Sequence, residues 1–119
     1  MKRNISPHVQ IYSFPITAIS SIATRLTGLS FTGLYIGSGL LAFNGINILD
    51  LYKDLNPNYQ NIIKYTGLYS GVYHTLGGIR HFIWDKYPSL LTNSKVNKSS
   101  ISLIGISFFG TYLMDKLIK

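Results

Sequence analysis

Between Ile16 and Leu49 the chain carries one charged side chain, Arg25, and that run decides most of what the molecule can be. A hydrocarbon core of about 30 Å is crossed by roughly 20 apolar residues in a helix, so this segment spans a bilayer with a turn or two to spare. Pro15 suits the first turn of such a helix, because its missing amide hydrogen would be unpaired there anyway. Ahead of it, Met1 to Phe14 is polar and basic, with Lys2, Arg3 and a Ser6-Pro7-His8 break, and reads as an extended arm.

The remaining apolar runs repeat the pattern. Asp50 to Asn58 is a polar loop with Asn56-Pro57-Asn58 as its turn signal, and a second span is expected from about Tyr59 to Tyr87. Lys86, Lys95 and Lys98 surround a loop broken by Pro88, and Ile101 to Met114 is the centre of a third span that needs its flanking residues to reach full length. The fold expected is therefore all-α and integral to the membrane, one domain over residues 1–119: an arm at 1–15, helix I at about 16–49, helix II at about 59–87 and helix III at about 100–118. The lipid bilayer is its solvent. Lysine and arginine bias places the N-terminus on the cytoplasmic or matrix side.

Composition narrows the function classes. Only 13% of residues are charged while 46% are hydrophobic, and the net charge of +7 sits largely at the ends of apolar runs. A nucleic-acid binder would show a charged stripe with interleaved aromatics, so no nucleic-acid partner is expected. A channel or transporter would place charges midway along its spans, which this chain avoids. Without cysteine, thiolate metal sites and iron–sulfur ligation are excluded from this chain, and a redox centre must use histidine.

Histidine does occur where lipid would disfavour it. In the stretch from Tyr73 to Asp85, residues His74, Gly77, Gly78, His81 and Asp85 fall on one helical stripe. His74 and His81 lie roughly 10 Å apart along the axis, too far to share one ion. A single imidazole beside two glycines suits an axial ligand to a flat macrocycle such as haem. The same stripe also fits a packing notch whose histidines hydrogen-bond to neighbouring helices. Ser21 and Arg25 share a face one turn apart near the basic end of helix I. Arg25 fits either snorkelling to headgroups or a boundary site donating hydrogen bonds to a quinone carbonyl or a haem carboxylate. Arg25, Arg80, His81 and Asp85 all fall toward the inner end, which favours a shared site over separate snorkelling. Gly33 and Gly37 form a small-xxx-small pair for close helix approach.

Two of these stretches together carry a resemblance. Ser6-Pro7-His8-Val9-Gln10-Ile11-Tyr12, followed by Phe14-Pro15-Ile16-Thr17-Ala18-Ile19-Ser20-Ser21-Ile22-Ala23-Thr24-Arg25-Leu26-Thr27-Gly28, resembles the opening of the large cytochrome b anchor subunits of succinate dehydrogenase. His74-x-x-x-Gly78-x-Arg80-His81-x-x-x-Asp85 resembles that family's second-helix signature. The resemblance implies a complex II anchor paired with a second small anchor subunit and carrying the iron–sulfur and flavoprotein subunits. It implies His74 as one axial ligand of haem b, with the other supplied by the partner anchor. It implies ubiquinone binding at Ser21 and Arg25 with Phe14 near the entrance, and Arg25, Thr24 and His81 near the haem propionates. Thr24 stands where many relatives have histidine, which shifts propionate binding toward Arg25 or the partner chain.

The chain alone is expected to catalyse nothing; it passes electrons to quinone within its complex. The resemblance also implies a mitochondrial inner membrane location with the N-terminus in the matrix, or a bacterial inner membrane with a cytoplasmic N-terminus. Met1 to Pro15 has no apolar core before a small-residue cleavage site, so a cleavable signal is not expected. Two rivals fit the same sequence: the anchor of a quinol:fumarate reductase, and a haem-free structural or assembly anchor.

Overall fold

The computed structural model describes residues 13–118, so the first part of the expected arm, with its Ser6 to Tyr12 motif, lies outside the described residues. The described chain is helical, with no strand among its residues. Helix α1 runs Ile16–Phe43, the short α2 Ile48–Asp54, α3 Pro57–Lys86 and α4 Asn93–Ile118, with a 3-10 turn at Pro88–Leu90.

Local chemistry sets the boundaries. The carbonyl of Pro15 accepts from the amides of Ala18 and Ile19, so the proline caps α1 from just outside its first turn. The far end comes earlier than the apolar run suggests, at Phe43 and not near Leu49. Gly45 adopts φ +76°, and the amides of Gly45 and Ile46 bond back to the carbonyls of Ala42 and Leu41. That is a Schellman stop, which glycine allows because it has no Cβ to clash in the left-handed region. The expected polar loop then holds the helix α2, whose N-cap Asn47 accepts from the Leu49 amide at 3.1 Å. Asn56 caps α3 in the same way at 3.0 Å, with Pro57 as first helical residue, so the turn signal is also the helix start.

At the other end of α3, Pro88 prevents continuation past Tyr87. Helix α4 starts at Asn93, ahead of the apolar run that marked it in the sequence; the carbonyl of Thr92 accepts from the Val96 amide at 2.9 Å and begins the ladder. Polar residues Asn93 to Ser99 thus form its first turns.

The three long helices pack as an antiparallel up-down-up bundle. Along α1 and α3, Thr24 meets Gly77, Gly28 meets His74, Phe31 meets Gly71 and Leu34 meets Gly67, so the two chains run in opposite directions. Along α3 and α4 the order is Arg80 with Ser100, then Tyr69 with Phe108, then Tyr65 with Asp115. The interior is unusual for a water-soluble bundle. Its buried residues are mostly small and polar: Ser20, Thr27, Ser70, Ser100, Ser107 and Thr111, with Tyr73 and Leu103 the large hydrophobic ones. Leu29, Tyr35, Phe43, Phe82 and Leu117 face outward.

Such a distribution costs little in lipid. There burial of hydrocarbon gains nothing and close packing of small residues decides association. Several of the buried hydroxyls donate to their own helices, as Ser107 does to the Leu103 carbonyl at 2.7 Å and Thr111 to the Ser107 carbonyl at 2.8 Å.

By length and apolarity, α1 and α4 each suffice to cross a membrane. Helix α3 has 30 residues, long enough, but Gln60, Lys64, His74, Arg80, His81 and Asp85 make it the most polar of the three.

Candidate functional site

The start of α1, the end of α3 and the start of α4 are joined through Arg80 on α3. Its guanidinium donates through Nη2 to the Ser20 hydroxyl on α1 at 3.2 Å and through Nη1 to the Ser100 hydroxyl on α4 at 3.1 Å. The guanidinium carbon also stands 4.5 Å from the centroid of the Trp84 ring, one turn on, a cation–π contact. Tyr73, fully buried, donates to the Ser20 carbonyl at 3.3 Å, which leaves the Ser20 hydroxyl to donate to the tyrosine oxygen at 3.2 Å. One planar fork therefore fixes three helices at one depth, which a lysine cannot do.

Beside this knot lies a cleft of about 310 Å³, lined by Thr17, Ser21 and Arg25 from α1, by Arg80, His81 and Trp84 from α3, and by Ser100 from α4. The structure therefore brings the predicted Ser21, Arg25, Thr24 and His81 together. Ser21, Arg25 and His81 are exposed in it, and the His81 ring meets Trp84 edge-on at 5.3 Å. Among the described residues no carboxylate lines the cleft. Two guanidinium groups without an acidic partner in the walls give it a positive potential suited to an anion or to an oxygen that gains negative charge. Phe14 is exposed ahead of α1 and is not part of the cleft wall; Asp85, although on the expected stripe, is not part of it either.

His74 lies outside the cleft, deeper along α3. Its Nδ1 is 3.2 Å from the carbonyl oxygen of Thr24. A carbonyl only accepts, so Nδ1 carries a hydrogen, and in the neutral ring that leaves the lone pair on Nε2. The ring is exposed, and across the helix interface Gly28 leaves the space in which it lies. One turn on, a Cβ at Gly78 would meet nothing within 4 Å, whereas Gly77 faces Thr24. An imidazole on an exposed residue with one nitrogen tied to a backbone carbonyl is the arrangement of a metal-ligating histidine whose tautomer is preset. The donor set and the open glycine face therefore fit haem. Thr24 contributes its carbonyl to that orientation, while its hydroxyl donates to the Ser20 carbonyl at 2.9 Å.

Sequence reasoning singled out His74 but missed Gly28, Ser20, Tyr73 and Ser100. Gly28 was visible only as the end of the first motif. The other three are ordinary helix residues until the register across the bundle is known.

The sequence profile described as succinate dehydrogenase/fumarate reductase transmembrane subunit matches residues 1–114 of the chain. The chain belongs to that family. Among similar proteins, the mitochondrial inner membrane protein SHH3 of Saccharomyces cerevisiae is 31% identical over 95% of the chain and 63% of its own length. The mitochondrial succinate dehydrogenase cytochrome b560 subunit of Dictyostelium discoideum is 32% identical over 85% of the chain and 55% of its own length. The succinate dehydrogenase cytochrome b560 subunit of Porphyra purpurea is 32% identical over 91% of the chain and 90% of its own length. The chain thus spans less than two thirds of the first two relatives and nearly all of the third. As a member of a transmembrane-subunit family with two sufficiently apolar helices, it is a membrane protein.

Proposed function

We propose that the chain is the cytochrome b membrane anchor of a succinate:ubiquinone oxidoreductase, holding haem b with His74 and ubiquinone at the cleft of Ser21 and Arg25. Relatives that carry the succinate dehydrogenase cytochrome b name over most of the chain support the assignment. The observation that supports the haem reading is the exposed His74 imidazole, tied through Nδ1 to the Thr24 carbonyl and seated against Gly28. A second ligand to the haem would come from the partner anchor, since His81, two turns from His74, lines the cleft. Arg25 and His81 are the groups left to meet the haem carboxylates, the Thr24 hydroxyl being engaged on its own helix. Haem b, when bound, supplies a one-electron redox centre.

At the cleft, Ser21 and Arg25 donate hydrogen bonds to a carbonyl oxygen of the quinone and hold it in place. The Arg25 guanidinium stabilises negative charge as it grows on that oxygen during reduction by electrons from the iron–sulfur and flavoprotein partners. The Arg80 knot keeps α1 at the depth where Ser21 and Arg25 meet α3.

Helix α3 is the third span in this reading. Its 30 residues reach about 45 Å, and its buried Ser70, Tyr73 and Gly77 pack against protein. Lys86, Lys95, Lys98, Arg25 and Arg80 share one end with Asp85, while Lys53, Lys64 and Lys116 lie at the other with Asp50, Asp54 and Asp115. The excess of lysine and arginine at the first end supports an N-terminus in the matrix of a mitochondrial inner membrane.

The test is the dithionite-reduced minus oxidised visible spectrum of the complex purified through this chain. A b-type α-band in wild type that is lost in His74→Ala supports the reading. An intact complex without the band overturns the haem assignment.

A further inference from the structure

We propose that the groove between α3 and α4 is a seat for an anionic membrane phospholipid. The groove lies on the other side of Arg80 from the quinone cleft and encloses about 440 Å³. Its polarity changes along its length in the way a phospholipid's does. Lys95 and Trp84 stand at the inner boundary, and below them the walls are Leu76, Ile83, Leu103 and Ile106. From Trp84 to Leu76 is about 12 Å along α3, close to one leaflet's half of a core of about 30 Å. Beyond Leu76 and Ile106, which both cavities share, a second apolar space of about 640 Å³ continues toward Leu117, giving an acyl chain room to extend.

The boundary end selects an anion. No carboxylate lines the groove, and α4 begins there with no acidic residue in its first turn. Lys95 occupies that first turn instead, a cation at the positive end of a helix dipole, where an acidic side chain is the favourable choice, and one of its three donors goes to the Ser89 carbonyl at 3.2 Å. A phosphate at this end satisfies both the ammonium and the dipole, and basic residues with a tryptophan at the headgroup level are the recognised means of holding one. A neighbouring protein helix is the poorer occupant. Close helix approach needs small residues, and in the walls of the first cavity only Ser99 and Ser102 are small; the rest are large side chains and no glycine lines it. The glycines with open space before them, Gly33, Gly37, Gly39 and Gly45 near α1, Gly78 on α3 and Gly105 on α4, are not among the groove's lining residues.

The experiment uses the assembled, detergent-purified complex, titrated with phosphatidylglycerol or phosphatidylcholine of the same acyl chains and read by native mass spectrometry. Wild type is expected to retain phosphatidylglycerol at least threefold more than phosphatidylcholine. Lys95→Gln removes that preference, and Ile106→Trp, which fills the groove, lowers retention of both. A phosphatidylglycerol with a photoreactive acyl chain, applied to wild type alone, labels α4 around Leu103 and Ile106, and unlabelled phosphatidylglycerol suppresses the labelling. Equal retention of the two lipids by wild type, unchanged retention in Lys95→Gln, or labelling that maps away from these residues overturns the proposal. None of these readouts depends on haem or quinone, so failure here is distinct from failure of the function proposed above.

Discussion

A Cβ built on Gly28 would stand 2.8 Å from Cε1 of His74 and 3.1 Å from its Nδ1. The imidazole therefore occupies the volume that any other residue at position 28 would fill. Its orientation is set by two features of α1, the missing side chain of Gly28 and the carbonyl of Thr24.

Gly28→Ala is expected to turn the His74 ring away from the Thr24 carbonyl without removing the ligand. Loss of an orienting partner of a metal-bound histidine typically costs about 10–100-fold in affinity. Haem content per complex, measured as the pyridine haemochrome, should fall and the reduced α-band should shift or broaden. An unchanged spectrum in Gly28→Ala would separate His74 from the haem.

Arg80→Gln removes the fork that joins Ser20 and Ser100. Hydrogen bonds to charged groups contribute about 1.5–3 kcal/mol in water-soluble proteins, while interhelical bonds within membranes average about 0.6 kcal/mol. Two such bonds and the Trp84 contact together are expected to contribute about 1–3 kcal/mol on those scales. Arg80→Lys should recover only part of it, since one ammonium does not replace a two-ended planar donor. The denaturation midpoint of the complex measures both variants, and equal stability of Arg80→Lys and wild type would contradict the three-helix role.

Arg25→Gln is expected to lower the turnover of quinone reduction by about 10²–10³-fold, the range seen when a donor to a developing oxyanion is removed. Ser21→Ala, which loses a neutral donor, should act mainly on the quinone KM. Succinate oxidation with a soluble dye as acceptor should stay at the wild-type rate in both. A parallel loss of dye reduction would mean that the substitutions disturb assembly and not quinone binding.

Much of this arrangement follows from the sequence because lipid permits few alternatives. The near absence of charge from Ile16 to Leu49 gives α1 its start, and the shared depth of Arg25, Arg80 and His81 gives the convergence of α1 and α3 at one cleft. The missed features have different causes. The stop at Phe43 was written in Asn44-Gly45, but continuing hydrophobicity concealed it, because a Schellman turn is compatible with apolar residues on either side. The start of α4 was hidden by its polar first turns, which lie at the membrane edge and need no apolar residues. Gly28 opposite His74, and Ser20 and Ser100 opposite Arg80, are contacts across helices, and no periodicity within one helix encodes the register between two.

The far end of the bundle has its own cross-link, and it yields the last prediction. Asp115 on α4 forms an ion pair with Lys64 on α3 and accepts a hydrogen bond from Tyr65 at 3.4 Å. The carboxylate is largely buried, while the lysine is partly open. Removing one partner of a buried pair leaves the other charge without compensation, whereas replacing both with apolar groups of similar size is often neutral. Asp115→Asn should therefore lower the denaturation midpoint more than the double variant Asp115→Leu with Lys64→Met. Lys64→Met alone should act like Asp115→Asn or worse, because it strands the more buried member. Quinone reduction per assembled complex should be unchanged in all three, since the pair lies at the end of the bundle opposite the cleft. If the double variant is the least stable, the pair holds α3 and α4 together by net attraction, and its desolvation is the smaller of the two effects.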